Sequence, residues 1–117
     1  MSSSQFNLEV LSKAMSLRLA RHSAIASNIA NADTPGYRPV QVSFEGALQK
    51  AALTKDSDRL NKIQPTLETI DDGVPRLDGN SVNIDKQMEA LSENTILYNA
   101  TAEFIGRRIQ MLKSVIG

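Results

Sequence analysis

Cysteine is absent from this 117-residue chain, which excludes disulfides, thiol catalysis and thiolate metal sites together. Histidine occurs once, at His22, so an imidazole metal site or acid–base pair lacks its second member. Arg18 and Arg21 beside it oppose a bound cation, and a partly buried interface histidine is the simpler reading. Neither sign of charge is in excess: 13 basic residues face 13 acidic ones without a block of like charge, so no nucleic-acid footprint or membrane-surface patch is visible. No apolar run reaches the length of a membrane-spanning helix. The opening MSSSQFNLEVLSKAM has no cationic stretch followed by an apolar one, so a cleaved secretion signal is not expected, while export by a route that needs none stays open. Six scattered glycines give no phosphate cradle, and neither a P-loop nor a dinucleotide glycine pattern nor a nucleophile elbow occurs. Glu89 and Glu93 share a helix face, but with Lys86 nearby they read as a solvated surface rather than an acid–base pair. No enzymatic activity, cofactor or small-molecule substrate is expected.

What the chain does have is a heptad repeat. Ile84, Met88, Leu91, Thr95, Tyr98, Ala102, Ile105, Ile109, Leu112 and Ile116 step by four and three residues alternately, the spacing that keeps one seam of a helix against a partner helix. A helix over 83–116 would be roughly 50 Å long at 1.5 Å per residue. Its charges run from Asp85, Glu89 and Glu93 early to Arg107, Arg108 and Lys113 late, which complements the helix dipole. So long a seam needs a long partner. Leu8, Leu11, Met15, Arg18, His22, Ile25 and Ile29 follow the same rhythm near the other end, with Leu19 and Ala26 beside the polar members, and predict a helix over 7–30. Met15, Met88, Met111 and Tyr98 fit ordinary helix packing better than an adaptable binding groove.

Between the helices the signals change. Asn31 suits a left-handed helix cap, Pro35 pushes Thr34 out of helical geometry, and Pro35-Gly36 fits the two central positions of a type II turn. Val40, Val42 and Phe44 alternate with polar residues as a short extended segment, and Phe44, Leu48 and Ala51 or Ala52 allow a short helix over 45–53. From Thr54 to Ser81 apolar residues are few, while Pro65, Pro75, Gly73, Gly79 and the Asp71-Asp72 pair predict a flexible, irregular middle. Asn83 or Asp85 is placed to cap the C-terminal helix. The expected fold is therefore mainly α and a single domain over 1–117. Two long terminal helices pack as an antiparallel coiled-coil-like pair, joined by a turn, extended segment and possible short helix (31–53) and a flexible middle (54–82).

The string Ser27-Asn28-Ile29-Ala30-Asn31-Ala32-Asp33-Thr34-Pro35-Gly36-Tyr37-Arg38 closely resembles the N-terminal signature of bacterial flagellar axial proteins, the rod, hook and hook-associated families. Ser27 and Arg38, where asparagine and lysine are common, are mild departures. The chain length and the block opening Gly79-Asn80-Ser81-Val82-Asn83-Ile84-Asp85-Lys86-Gln87-Met88 resemble the proximal-rod members, with similarity over residues 8–53 and 78–117. The resemblance implies a structural subunit of the basal-body rod, exported without a cleaved signal into the periplasmic space. Its implied partners are other copies of itself, other rod proteins, and membrane-ring and export-gate proteins at the rod base. The assembly surface expected from the seams comprises Leu8, Leu11, Met15, Leu19, Ile25, Ile29, Met88, Leu91, Tyr98, Ile105, Ile109, Leu112 and Ile116. The family turn comprises Asn28, Asn31, Asp33, Thr34, Pro35, Gly36 and Tyr37. A small coiled-coil adaptor or export chaperone of a secretion system is the alternative from a different class.

Overall fold

A computed structural model describes residues 3–71 and 75–116; Asp72 and Gly73 of the middle segment lie outside the described residues. The elements are α1 (Ser3–Ala30), β1 (Val40–Ser43), α2 (Glu45–Thr54), α3 (Ser57–Asn61), β2 (Thr66–Thr69) and α4 (Ile84–Ile116). The two long terminal helices pack together and dominate a mainly helical molecule measuring 62 × 25 × 15 Å. Its radius of gyration is 17.5 Å, against about 13 Å expected of a compact chain of this length.

The two helices run in opposite directions. Asn28, near the end of α1, donates to Gln87 near the start of α4, and Arg18, in the middle of α1, donates to Asn94. At the far end Ser4 and Leu8 lie beside Met111, Leu112 and Val115. The α4 row turned most deeply inward is Gln87 and Asn94, both buried, whereas Leu91, Tyr98 and Ile105 are half-buried and Met88, Thr95 and Ile109 are exposed. The buried face is thus rotated by about one residue from the apolar seam. Polar side chains occupy it because α1 offers them hydrogen-bond partners there, which removes the cost of burying them.

The second face of α1 carries Phe6, Leu17 and Ala24, with Val10 beside them, and these pack with Val42, Phe44, Ala51, Leu60 and Ile63 in one buried cluster. The middle segment is consequently more ordered than its composition suggests. Within 54–82, read from the sequence as irregular, the chain forms α3 and β2, and Leu60 and Ile63 enter the core. Burying each of these side chains contributes about 1.5–3 kcal/mol, enough to offset the ordering of a few neighbouring residues. Asp56 caps α3 by accepting from the Arg59 N–H at 3.1 Å, and Lys55 closes α2 in the left-handed conformation at φ 52°. β2 pairs antiparallel with β1 in the register Val40 to Thr69, Gln41 to Glu68, Val42 to Leu67 and Ser43 to Thr66.

At the junctions, α1 ends as its sequence suggests but by another device. Asn31 is not left-handed; its side-chain amide donates to the Ser27 carbonyl at 2.8 Å, and its own side-chain oxygen accepts from Thr34 at 3.0 Å. Pro35-Gly36 makes the expected turn, with Gly36 at φ +73° and the Tyr37 N–H donating to the Thr34 carbonyl at 3.2 Å. Asn83 caps α4, its side chain accepting from the Lys86 N–H at 3.2 Å.

Candidate assembly interface

Two regions of opposite character make up the pair of long helices. The first is a polar head where the end of α1, the turn, β1 and the start of α4 meet. Asn28 has no exposed surface and uses its whole side-chain amide. Its nitrogen donates to the Val40 carbonyl at 2.7 Å and to Gln87 Oε1 at 2.9 Å; its oxygen accepts from the Val40 N–H at 3.0 Å and from the Tyr37 hydroxyl at 2.9 Å. Asn80, equally buried, donates to the carbonyls of Asn31 and Thr34 at 2.9 and 2.6 Å and accepts from the Val82 N–H at 2.9 Å. Around it the Gly36 N–H donates to the Asp78 carbonyl, the Ser81 N–H donates to the Tyr37 carbonyl, and Arg76 donates to the Ala32 carbonyl. The turn is therefore held from both sides.

Positive φ favours glycine on both loops where they touch. Gly36 and Gly79 are both left-handed, and a Cβ on Gly79 would stand 3.4 Å from the Gly36 Cα. Nearby, the Arg21 guanidinium binds both oxygens of Glu45 at 2.6 and 2.7 Å, donates to the Val42 carbonyl at 2.6 Å and lies 4.3 Å from the centre of the Phe44 ring. That guanidinium holds the Glu45 carboxyl down at about 2, partly opposed by desolvation.

The second region is the distal half of α4, which is apolar and open. Phe104, Ile109, Met111, Leu112, Val115 and Ile116 are all exposed. They fall on both flanks of the face that meets α1, since residues seven apart share a side of a helix and Leu97, Phe104 and Met111 form one such row while Met88, Thr95 and Ile109 belong to another. Of the residues expected at an assembly surface, Leu19, Met88, Ile109, Leu112 and Ile116 are exposed. Leu8, Leu11, Met15, Ile29, Leu91, Tyr98 and Ile105 are half-buried between the helices, and Ile25 is buried. Of the turn residues, Asn28 is buried, Asn31 and Tyr37 are half-buried, and Asp33, Thr34, Pro35 and Gly36 lie at the surface. Sequence reasoning missed Phe104 and Val115 on the open flank, Gln87 and Asn80 in the head, and Asn94 against Arg18 in the middle of α1. A buried polar residue on a helix carries no periodic signal of its own.

The cleft between α1, β1 and α4 is lined by the charged residues Arg18, Arg21, Lys86 and Glu93, the amides Gln41, Gln87 and Asn94, and apolar side chains, with no hydroxyl, thiol or imidazole group among them. The lone His22 is exposed on α1 rather than partly buried. Among the described residues no group of three or more His, Cys, Asp or Glu side chains is placed to hold a metal ion, and no helix is long and apolar enough to cross a membrane. An elongated helix pair with a fixed head and an open apolar flank is the geometry of a subunit whose long helices have further surface for another protein to cover. The profile of the family described as "Flagella basal body rod protein" matches residues 8–38, which include the whole turn signature.

Relatives extend the match along the chain. It is 31% identical to "Flagellar basal body rod protein FlgB" of Proteus mirabilis, over 89% of this chain and 88% of that one. The protein of the same name from Bacillus subtilis is 30% identical over 93% and 92%, and that from Escherichia coli 32% identical over 89% and 88%. The chain belongs to the FlgB family of flagellar basal body rod proteins. It is a structural protein of the flagellar basal body, not an enzyme, and the adaptor reading finds no support in these matches.

Proposed function

We propose that the subunit joins the rod through the open flanks of its terminal helices, binding further copies of itself and other rod proteins in the periplasmic space. Membrane-ring and export-gate proteins are its neighbours at the base, and it arrives there without cleavage of a signal. The observation that carries this reading is the distal half of α4, where six large apolar side chains face solvent on both sides of the intramolecular contact. Large exposed apolar patches are rare on soluble monomers, and a cluster of such side chains is a candidate surface for another protein to cover. Removing them from water would supply most of the assembly free energy, at about 25 cal/mol per Å² of apolar surface. Coiled-coil packing of the predicted seam would belong to the assembled rod, since Met88, Ile109 and Ile116 are exposed in the single chain.

The test is electron microscopy of purified basal bodies from strains carrying the wild-type chain, no chain, or a Met111→Glu and Val115→Glu double variant. Rods should be missing in the second case and shortened or missing in the third, with the variant still soluble and helical. Intact rods in the double variant would remove α4's distal flank from the interface. Without its partners the distal half of α4 should be the least protected part of that helix and order fully only on assembly, so in the dilute monomer it should exchange its amide hydrogens fastest; uniform protection along α4 would contradict this.

A further inference from the structure

We infer, on the reading that the open flank of α4 joins the rod, that one stretch of it is a socket for a helix of a different protein carrying a carboxylate between two large apolar side chains. Phe104, Arg108, Met111 and Val115 follow one another at steps of three or four residues, so they share one side of α4. Two hollows open along this row. The first, about 480 Å³, lies between α4, the early turns of α1 and the end of α2, with Phe104 facing Phe6, Val10, Leu11 and Ala52. The second, about 150 Å³, is lined by Leu8, Met111, Leu112 and Val115. Arg108 lines both hollows.

Charge selects the occupant. No carboxylate lines either hollow, yet Arg108 belongs to both and Lys55 to the first. Among the described residues neither of these side chains has an ion pair or a hydrogen bond. Arg108 is half-buried among apolar groups, so a carboxylate brought to it gains more than it would in open water. A helix laid along the row therefore fits when a large apolar side chain enters the first hollow, a carboxylate one turn on meets Arg108, and a second apolar side chain enters the other hollow. Phe104 and Met111 are seven residues and about 10 Å apart, the spacing of two turns on such a helix. A second copy of this chain does not supply the pattern. Glu89 and Glu103 have no large apolar residue three or four positions away in either direction, and Glu93 has Ile96 and Leu97 after it but only Glu89 and Ala90 before. Glu9 has only the buried Phe6, and Asp85 lies in the first turn of its helix. The occupant is therefore a different chain.

Photo-cross-linking in purified basal bodies tests the assignment. A benzoylphenylalanine replaces Phe104, which is 57% exposed, in a strain that also carries the unmodified chain so that rods still form. Irradiation should join the labelled chain to a different protein, at a helix with the apolar, acidic, apolar spacing. Adding Arg108→Glu should lower the yield per incorporated labelled chain about tenfold, since like charges would then meet, whereas Arg108→Lys should keep about half of it or more. Circular dichroism of both variants should match the parent. Equal yields with Arg108→Glu and with the parent would overturn the assignment. A product between two copies of this chain would overturn it too, and would leave assembly through the flank intact. No product from position 104 alongside one from a label at Ile109, on the other flank, would have the same meaning; no product from either label would overturn both.

Discussion

Asn28 and Gln87, 59 positions apart in the chain, share an amide–amide hydrogen bond of 2.9 Å that pins the end of the first long helix to the beginning of the last. Four groups converge on Asn28, and an alanine there leaves the Val40 N–H and C=O, the Tyr37 hydroxyl and the Gln87 oxygen without it. Asn28→Ala is expected to cost about 3–5 kcal/mol, because buried groups left unpaired lose their full desolvation energy. Gln87→Ala should cost only about 1–2 kcal/mol. Urea titration followed by far-ultraviolet circular dichroism checks both.

Gly36 separates a conformational requirement from a steric one. No atom lies within 4 Å of where its Cβ would stand, yet its φ is +73°. Gly36→Asn should therefore be tolerated within about 1 kcal/mol, whereas Gly36→Val should cost about 2–3 kcal/mol, since a β-branched residue resists that conformation. Thermal melts of the two variants decide it. Gly36→Val should also reduce swimming in soft agar more than it reduces export, by misdirecting the turn.

The Arg21–Glu45 pair gives a pH dependence of known sign. The carboxyl is held at about 2, below its ordinary value of 4.5, so the pair's contribution is complete above about pH 5 and is lost as the pH falls toward 2. The Glu45 side chain is 58% exposed, which limits the effect to under about 1 kcal/mol. Glu45→Gln should lower the melting temperature slightly at pH 7 and make no difference at pH 2. A larger gap at pH 2 than at pH 7 would contradict the assignment.

Leu17 and Leu19, two residues apart, should behave differently. Leu17 is 2% exposed inside the cluster with Phe44 and Leu60, while Leu19 is 54% exposed. Leu17→Ala is expected to cost about 2–5 kcal/mol and Leu19→Ala under about 0.5 kcal/mol. Denaturant unfolding of the pair measures the contrast, with any effect of Leu19→Ala on rods reporting contacts between subunits.

That contrast also shows where the sequence was legible. Both long helices, the Pro35-Gly36 turn, the extended Val40–Ser43 segment and the Asn83 cap follow from local rules of periodicity, backbone freedom and capping. Which face of α1 is buried does not, because apolar residues lie on two sides of it. The row through Leu8, Leu11 and Met15 is as regular as the row through Phe6, Val10 and Leu17. Only the position of Leu60, Ile63 and Phe44 in space selects the second row for the core. β2 was missed for a related reason: Thr66-Leu67-Glu68-Thr69 is too short to announce itself, and its register depends on a partner far away in sequence. At the interface, the heptad named Ile109, Leu112 and Ile116 but could not foresee that the buried row would be Gln87 and Asn94, since polar burial depends on partners supplied by α1.

The Asn80 clip, which ties residue 80 to the carbonyls of Asn31 and Thr34, closes a loop of nearly half the chain. Contacts so distant in sequence form late, because the entropy of closing the loop is lost before any bond repays it. Helical turns, by contrast, appear within about a microsecond. Refolding should then show two separable events, an early gain of helix and a slower step in which the Tyr37 hydroxyl reaches Asn28 and the head closes. In kinetic terms the chain spends its first moments as two helices not yet committed to each other, and Asn80 sets the moment at which the angle between them is fixed.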